Sequence, residues 1–243
     1  MWLTEDPFYI DHSIELLNDY DFIFTIDFGA FEFYRKTFSD KNIYHLPLGT
    51  DPSIYYPTST QSIDSFDVCL VGYPYPDRIE LINYILKHTS HKIILVGPLW
   101  QRYIRSKNYF NRLKIINKWI EPAYVRELFC ISKIILNPHR TYNFFKNKNT
   151  LGIENKSINN RTFDIGACGG FQLISHKPDL EKHFNIYNEI IPFYNKDECI
   201  HLLNDFVNDE KGRTNYIKNA YERVLNNHTL SHRLQFILNQ INT

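Results

Sequence analysis

The stretch NNRTFDIGACGGFQLIS, residues 159–175, decides how the chain is read. It begins polar, continues with apolar residues at helical spacing, and breaks at the pair Gly169-Gly170. The apolar run Phe171–Ile174 that follows reads as a strand. Helix, tight turn and apolar strand form one half of a βαβ unit, and hence part of a parallel sheet. At 3.6 residues per turn, Asn160, Asp164 and Ala167 share a helix face, with Arg161 beside them. Ser157 is expected to cap the helix, since its hydroxyl can accept from the first free amides. Ligands of open α/β sheets sit at the carboxyl ends of the strands, near helix N-termini. A carboxylate there can accept two hydrogen bonds from the vicinal hydroxyls of a ribose. The small residues after Asp164 would let sheet, helix and ligand approach closely. The same spacing also fits a surface ion pair between Asp164 and Arg161 and a glycine C-cap. Periodicity leaves both readings open.

Outward from this stretch, apolar runs of strand length alternate with helical patterns. Toward the N-terminus, short strands are expected at 2–4, 22–26 and 43–46, with helices at 13–18 and 31–36. Residues 46–65 hold three prolines and many small polar residues, and the core of this segment, 53–65, reads as a linker. A second series starts at Phe66. Strands are expected at 66–72, 92–96, 114–116, 133–137, 171–174 and 189–193. Helices are expected at 78–88, 122–131 and 178–183, and in the opening stretch itself. Pro122 suits a first helical turn. Residues 99–114 are ambiguous, with 100–107 a candidate helix, and 141–156 reads as a long loop. Three helical segments close the chain, near 196–208, 211–226 and 231–240. The expected fold is therefore α/β with two Rossmann-like lobes. A partial N-terminal lobe spans 1–52, and a complete doubly wound parallel sheet spans 66–226. A terminal helix in 227–243 is expected to pack back toward the first lobe. So small a first sheet should lean on the larger lobe. Its open edge could be covered by a second copy, so a homodimer is an expectation.

Composition narrows the functional classes. Lysine plus arginine and aspartate plus glutamate each count 27, so no general nucleic-acid or anionic-membrane surface is indicated. Aromatic residues reach 16%, which suits core and interface packing, with sugar stacking by a few as the alternative. Cys69, Cys130, Cys168 and Cys199 form no CxxC pair and read as buried free thiols, as in a reducing cytosol. No apolar run is long enough to cross a bilayer, and the acidic N-terminus lacks the basic start of an export signal. A cytoplasmic location is therefore expected. The histidines show no metal-ligand spacing and no DxD motif is present, so neither a metal nor a resident cofactor is expected.

The run from Asn160 through Arg161, Phe163, Asp164 and Ala167 to Gly169 resembles the donor-site helix of GT-B glycosyltransferases. More narrowly, the chain resembles the spore maturation protein CgeB family, also described as glycosyltransferase family 1-like. The opening TEDPF, FIFTIDFGAFEFYR, LPLGTDP, DVCLVGYPYPDR, IILNPHR and the late HTLSHR agree with that family in order, across nearly the whole chain. The resemblance implies a nucleotide-diphosphate sugar, perhaps UDP-linked, as co-substrate, held mainly by the second lobe, and an acceptor of unknown nature. It places Asp164 where related enzymes bind the donor ribose, usually with the longer Glu. The acid found eight positions earlier in related transferases is here Lys156, and Glu154 is out of register, so a paired-acid mechanism has no support.

Around that frame, Gly72 and Tyr73 follow the first strand of the second lobe, where a glycine lets backbone amides approach a diphosphate. One glycine falls far short of the GxGxxG fingerprint, which disfavours a dinucleotide oxidoreductase. Arg78 could meet phosphate from the next helix, or be a surface residue. Asn137, His139 and Arg140 lie at a strand's carboxyl end. Arg140 and Arg161 suit a diphosphate because the planar guanidinium binds oxygens bidentately. Glu5 and Asp6 follow a strand of the first lobe and are candidates for the general base of an inverting transfer, or an ordinary turn before Pro7. His228 is expected to pack or cap the terminal helices. The leading expectation is a glycosyltransferase. The alternative is a catalytically inactive nucleotide- or glycan-binding module of the same fold.

Overall fold

The protein is described by a computed structural model covering residues 1–58 and 65–242. The first lobe carries β1 (Trp2–Leu3), α1 (Ile10–Leu16), β2 (Phe22–Thr25), α2 (Phe28–Thr37) and β3 (Asn42–His45). Its three strands are parallel, in spatial order β1-β2-β3, with Ile23 opposite Ile43. Ile10, Leu17, Ile23, Ala30 and Tyr34 form a small buried core beneath them.

The second lobe contains β4 (Val68–Val71), α3 (Pro76–His88), β5 (Ile93–Val96), α4 (Trp100–Tyr103), β6 (Leu113–Ile116), α5 (Pro122–Ile131) and β7 (Ile134–Asn137). It continues with α6 (Arg161–Ala167), β8 (Gln172–Ser175), α7 (Leu180–His183), β9 (Ile191–Phe193), α8 (Lys196–Asn208), α9 (Glu210–Asn227) and α10 (Leu230–Ile241). Six parallel strands lie in the order β6-β5-β4-β7-β8-β9. The chain starts at the centre, runs outward to β6, then returns to the other side of β4. This reversal opens a crevice beyond the carboxyl ends of β4 and β7, the switch point where open α/β sheets take ligands.

The apolar runs explain the sheet. Every residue of β4 and β5 is buried, as expected of strands covered on both faces. Val68 and Leu70 face a core shared with Ile82, Ile85 and Leu203. Cys69 and Val71 face the opposite core, with Leu128 and Phe129. The alternation is the two-residue period of a strand. Pro122 and Pro76 open α5 and α3, where a missing N–H removes nothing. Thr229 and His232 form a reciprocal capping box at the start of α10.

Helix α6 begins later than its sequence suggests. The Ser157 hydroxyl does not cap it. That oxygen instead accepts from the Phe28 N–H of the first lobe, at 2.8 Å. Asn159 serves the helix start, its Oδ1 accepting from Thr162 N–H at 3.2 Å. The six residues Thr162–Ala167 are all buried, so α6 runs through the interior between β8 and α9. In the ambiguous region only Trp100–Tyr103 is α-helical, followed by a 3-10 turn at Ser106–Tyr109.

Two of the seams that join the lobes involve Thr50 and Asp27. In one, Thr50 N–H donates to the His228 carbonyl (2.9 Å) and Leu230 N–H donates to the Thr50 carbonyl (2.8 Å). There Arg233 Nε also donates to the Pro47 carbonyl at 2.8 Å, and Phe236 of α10 lies edge-on to Phe24 of the first sheet. In the other, the buried Asp27 accepts from the Lys156 (3.0 Å) and Ser157 (3.1 Å) amides of the second lobe. Of the expected linker 53–65, positions 59–64 lie outside the described residues. The part before them rests on α5, with Arg126 donating to the Ile54 carbonyl and stacking on Tyr56.

Candidate functional site

A cavity of about 450 Å³ separates the lobes at the carboxyl ends of both sheets. The first lobe supplies Glu5, Asp6 and Asp27 to its wall. The second supplies Tyr73, Arg78, Trp119, His139, Arg140 and the start of α6 from Asn159 to Arg161. Carboxylates therefore line one wall and guanidinium groups the other.

The basic wall is built around Gly72. A Cβ at that position would stand 2.6 Å from Arg78 Nη1 and 3.6 Å from Arg161 Nη2, and the backbone φ is 154°. Only glycine leaves room for the Arg78 guanidinium there, whereas Arg161 would be in ordinary contact. Its own amide donates to the Val96 carbonyl at 2.8 Å, and its carbonyl accepts from Trp100 Nε1 at 2.8 Å. Gly72 thus makes room for Arg78 and is not itself part of the cleft wall, while Tyr73 after it is.

Arg78 is buried and held on three sides. Its Nε and Nη2 donate to the Pro138 carbonyl (3.1 and 2.8 Å), and Nη1 donates to the Tyr73 carbonyl (3.1 Å). Burial, with Arg161 and Arg140 nearby, pushes its pKa down to about 9. Arg161 makes no hydrogen bond or ion pair within 4 Å among the described residues, so the expected surface pair with Asp164 is absent. Burial lowers its pKa, opposed by the more distant charge of Asp164. Arg140 lies over the rings of Phe8 (4.3 Å) and Tyr75 (4.9 Å), one from each lobe, and is anchored by Asn147. Its Nε is buried without a hydrogen-bond partner among the described residues. Three cations thus converge, and none has an ion-pairing carboxylate among the described residues. Such a wall is short of negative charge.

His139 lines the cleft beside the arginines, and Asn137 serves the wall from behind. The Ser175 hydroxyl lies 2.7 Å from His139 Nδ1, and Asn159 N–H donates to Nε2 at 3.3 Å, fixing the ring. Burial, with Lys177 and Arg78 nearby, holds this histidine well below its ordinary pKa, hence neutral. Asn137 is fully buried. It donates to Thr162 and Gln172 and accepts from Asn159 (3.0 Å). It props α6 and does not reach the cleft, which corrects its expected place among ligand contacts.

The stretch that decided the fold is placed differently from its expected role. Asp164 is buried and is not part of the cleft wall; its Oδ1 accepts from the Thr50 hydroxyl of the crossover segment at 2.9 Å. Burial pushes its pKa up to about 6, against the pull of Thr50 and Arg161. The carboxylate expected to meet a ribose thus lies behind the cleft wall, where it ties α6 to the lobe crossover. Gly169 ends α6 with φ of 66°, packed near Pro57 and Ile217, at the far end of the helix from the cavity. It is a helix terminator and not a donor contact. Asn160 and Arg161 do line the cleft, as does Tyr73.

On the acidic wall the two candidate bases separate. Asp6 is 2% exposed and accepts from Ser13 (2.7 Å), Thr25 (2.8 Å) and Tyr34 (3.0 Å) hydroxyls. Burial raises its pKa in spite of these donors. It pins α1, β2 and α2 together, so its carboxylate is already engaged by three hydroxyls. Glu5 is exposed on the same wall. Asp27, Trp119 and Tyr75 went unnoticed in the sequence. Asp27 precedes a helix and accepts from Ala30 N–H at 3.1 Å, a readable N-cap. Its second oxygen, facing the other lobe, had no local signal. Burial pushes its pKa up to about 7, opposed by the backbone donors and reinforced by Asp179.

Two Rossmann-like sheets facing each other across a cleft define the GT-B architecture. Solved structures agree. Sucrose-phosphate synthase from Thermosynechococcus elongatus superposes with a TM-score of 0.69 at 17% identity, covering 94% of this chain and 60% of that one. HepE from Anabaena, solved in complex with UDP and glucose, gives 0.70 at 12% identity, covering 100% and 70%. The chain belongs to the glycosyl transferase-like family, which it matches over residues 78–239. The spore protein CgeB of Bacillus subtilis (strain 168) is 33% identical over 174 residues, 71% of this chain. The chain spans about half, 54%, of the length of that relative.

Proposed function

We propose that this protein is a glycosyltransferase that moves a sugar from a nucleotide-diphosphate donor, UDP-linked in the simplest case, onto an acceptor hydroxyl. The observation carrying this reading is the convergence of Arg78, Arg140 and Arg161 on the switch-point crevice, without ion-pairing carboxylates among the described residues. A diphosphate carries the charge and the planar oxygen pairs that guanidinium groups match. As the sugar–phosphate bond breaks, negative charge grows on the leaving diphosphate, and prepositioned cations stabilise that charge. Glu5, on the facing wall, is the candidate base for the acceptor hydroxyl. HepE, solved with UDP and glucose, and TarM of S. aureus, solved in a complex that includes UDP, support this donor class from proteins of the same fold.

A second reading, a nucleotide-binding module without turnover, draws support from Asp6. Three hydroxyls occupy its carboxylate, leaving Glu5 alone of the proposed pair as a free base. One experiment separates the readings. UDP and UDP-glucose are titrated by calorimetry, and UDP release is followed with an acceptor panel. Donor-dependent UDP release that fails in Glu5→Gln, with UDP affinity kept, supports the transferase. Binding without release supports the module, and no binding of any nucleoside diphosphate removes both.

A further inference from the structure

The aromatic wall of the cleft continues beyond it. Tyr73 borders both the cleft and a second hollow of about 420 Å³ on the outer side of the second lobe. From Tyr73 a file of rings runs outward: Tyr75 at 5.1 Å, then Phe144 edge-on to it at 5.3 Å, then Phe145 at 4.8 Å. Tyr103 of α4 is also part of the hollow's wall. Phe145 is 82% exposed and Tyr103 42%. Neither fills the lobe's core, so core packing does not explain the aromatic surface. Glu80 and Lys146 add opposite charges to the same hollow, Glu80 being paired with Lys196 at 2.7 Å.

These features define the occupant's chemistry. It must present an apolar face to rings and polar groups at its edge, and it must be continuous with the cleft through Tyr73. A purely aliphatic chain would use the rings but neither the phenolic hydroxyls nor the charged groups. A pyranose meets both needs. With all its hydroxyls equatorial, both ring faces carry only C–H bonds, which aromatic π faces attract. We propose that this hollow is a subsite for an oligosaccharide acceptor of β-linked, gluco-configured hexoses, holding sugar units distant from the reacting end. The assignment of an acceptor role rests on the transferase reading, whereas glycan binding in the hollow does not.

The test uses the full chain with chitotetraose and cellotetraose as probes, titrated by NMR or calorimetry, and UDP titrated separately. At least one tetraose should bind the wild type, at least tenfold tighter than its monosaccharide. Phe145→Ala and Tyr103→Ala should each weaken that binding by about tenfold, the loss of one stacking face. Phe145→Tyr should retain it. Phe110→Ala, which removes an equally exposed ring outside the hollow (82% exposed), should leave it unchanged. UDP affinity should stay the same in every variant. Failure of both tetraoses to bind wild type overturns the subsite, as does equal binding by wild type and Phe145→Ala. Ring-dependent tetraose binding without any UDP binding would remove the transferase reading and leave the subsite standing.

Discussion

Asp164 offers a quantitative test of the site's electrostatics. Its carboxyl has moved from an ordinary value of 3.8 up to about 6, chiefly through burial. The folded state therefore binds this proton more tightly than the unfolded chain. Stability from this group is complete below pH 3.8 and is lost as pH rises through about 6. Once both states are ionised, the buried charge costs on the order of 3 kcal/mol relative to a neutral side chain. At pH 5 the unfolded carboxyl is already ionised and the folded one is not, so roughly half of that penalty is in place. Asn keeps an oxygen to accept from Thr50 and cannot ionise. Asp164→Asn should then be more stable than wild type by about 1.5 kcal/mol at pH 5 and about 3 kcal/mol at pH 7.5. The larger value corresponds to a rise of roughly 6–12 °C in melting temperature for a domain of this size. Urea unfolding of both proteins at the two pH values measures the difference, and pH effects from all other groups cancel in it. A difference that stays flat with pH, or a variant less stable at pH 7.5, would refute the placement of Asp164 as a charge held in a dry site.

Three further outcomes follow from other contacts. Arg161→Ala should lower UDP affinity by roughly 10- to 100-fold while leaving stability nearly unchanged, because its guanidinium holds no hydrogen bond among the described residues; calorimetry and urea unfolding read the two effects. Asp27→Ala should destabilise the protein by about 2–4 kcal/mol in urea, since it strands the amides of Ala30, Lys156 and Ser157 at once; amide hydrogen exchange should quicken at Lys156 and Ser157. Among the four free thiols, Cys130 should react first with an aromatic disulfide reagent. It is half-buried and its pKa is lowered to about 6, with hydrogen bonding to Cys168 the main cause, whereas Cys69 and Cys199 are buried and raised to about 12. Reaction of Cys69 ahead of Cys130 at neutral pH would contradict that order.

Strand and helix succession was legible because apolar runs such as IILV and IILN need cover on both faces, and only a parallel sheet with helices on each side supplies it. Arg78, Arg140 and Arg161 were legible as candidates because a strand's carboxyl end is where open sheets receive ligands. Three expected local roles meet the same circumstance. Ser157, Asp164 and Asp6 each have a plausible local job, as cap, ribose ligand and base, and each is claimed by a partner far away in sequence. Ser157 meets Phe28, Asp164 meets Thr50, and Asp6 meets Thr25 and Tyr34.

Local chemistry written in the chain thus determined the succession of strands and helices, the parallel α/β sheets and the edge of each sheet at which ligands would sit. Periodicity and turn residues act over a few positions, and their effect is the same in any context. Which polar groups remain free for a ligand was decided only when the lobes met. A buried carboxylate or hydroxyl takes whatever donor or acceptor the fold brings within about 3 Å. At Asp164 that partner lies 114 residues away along the chain.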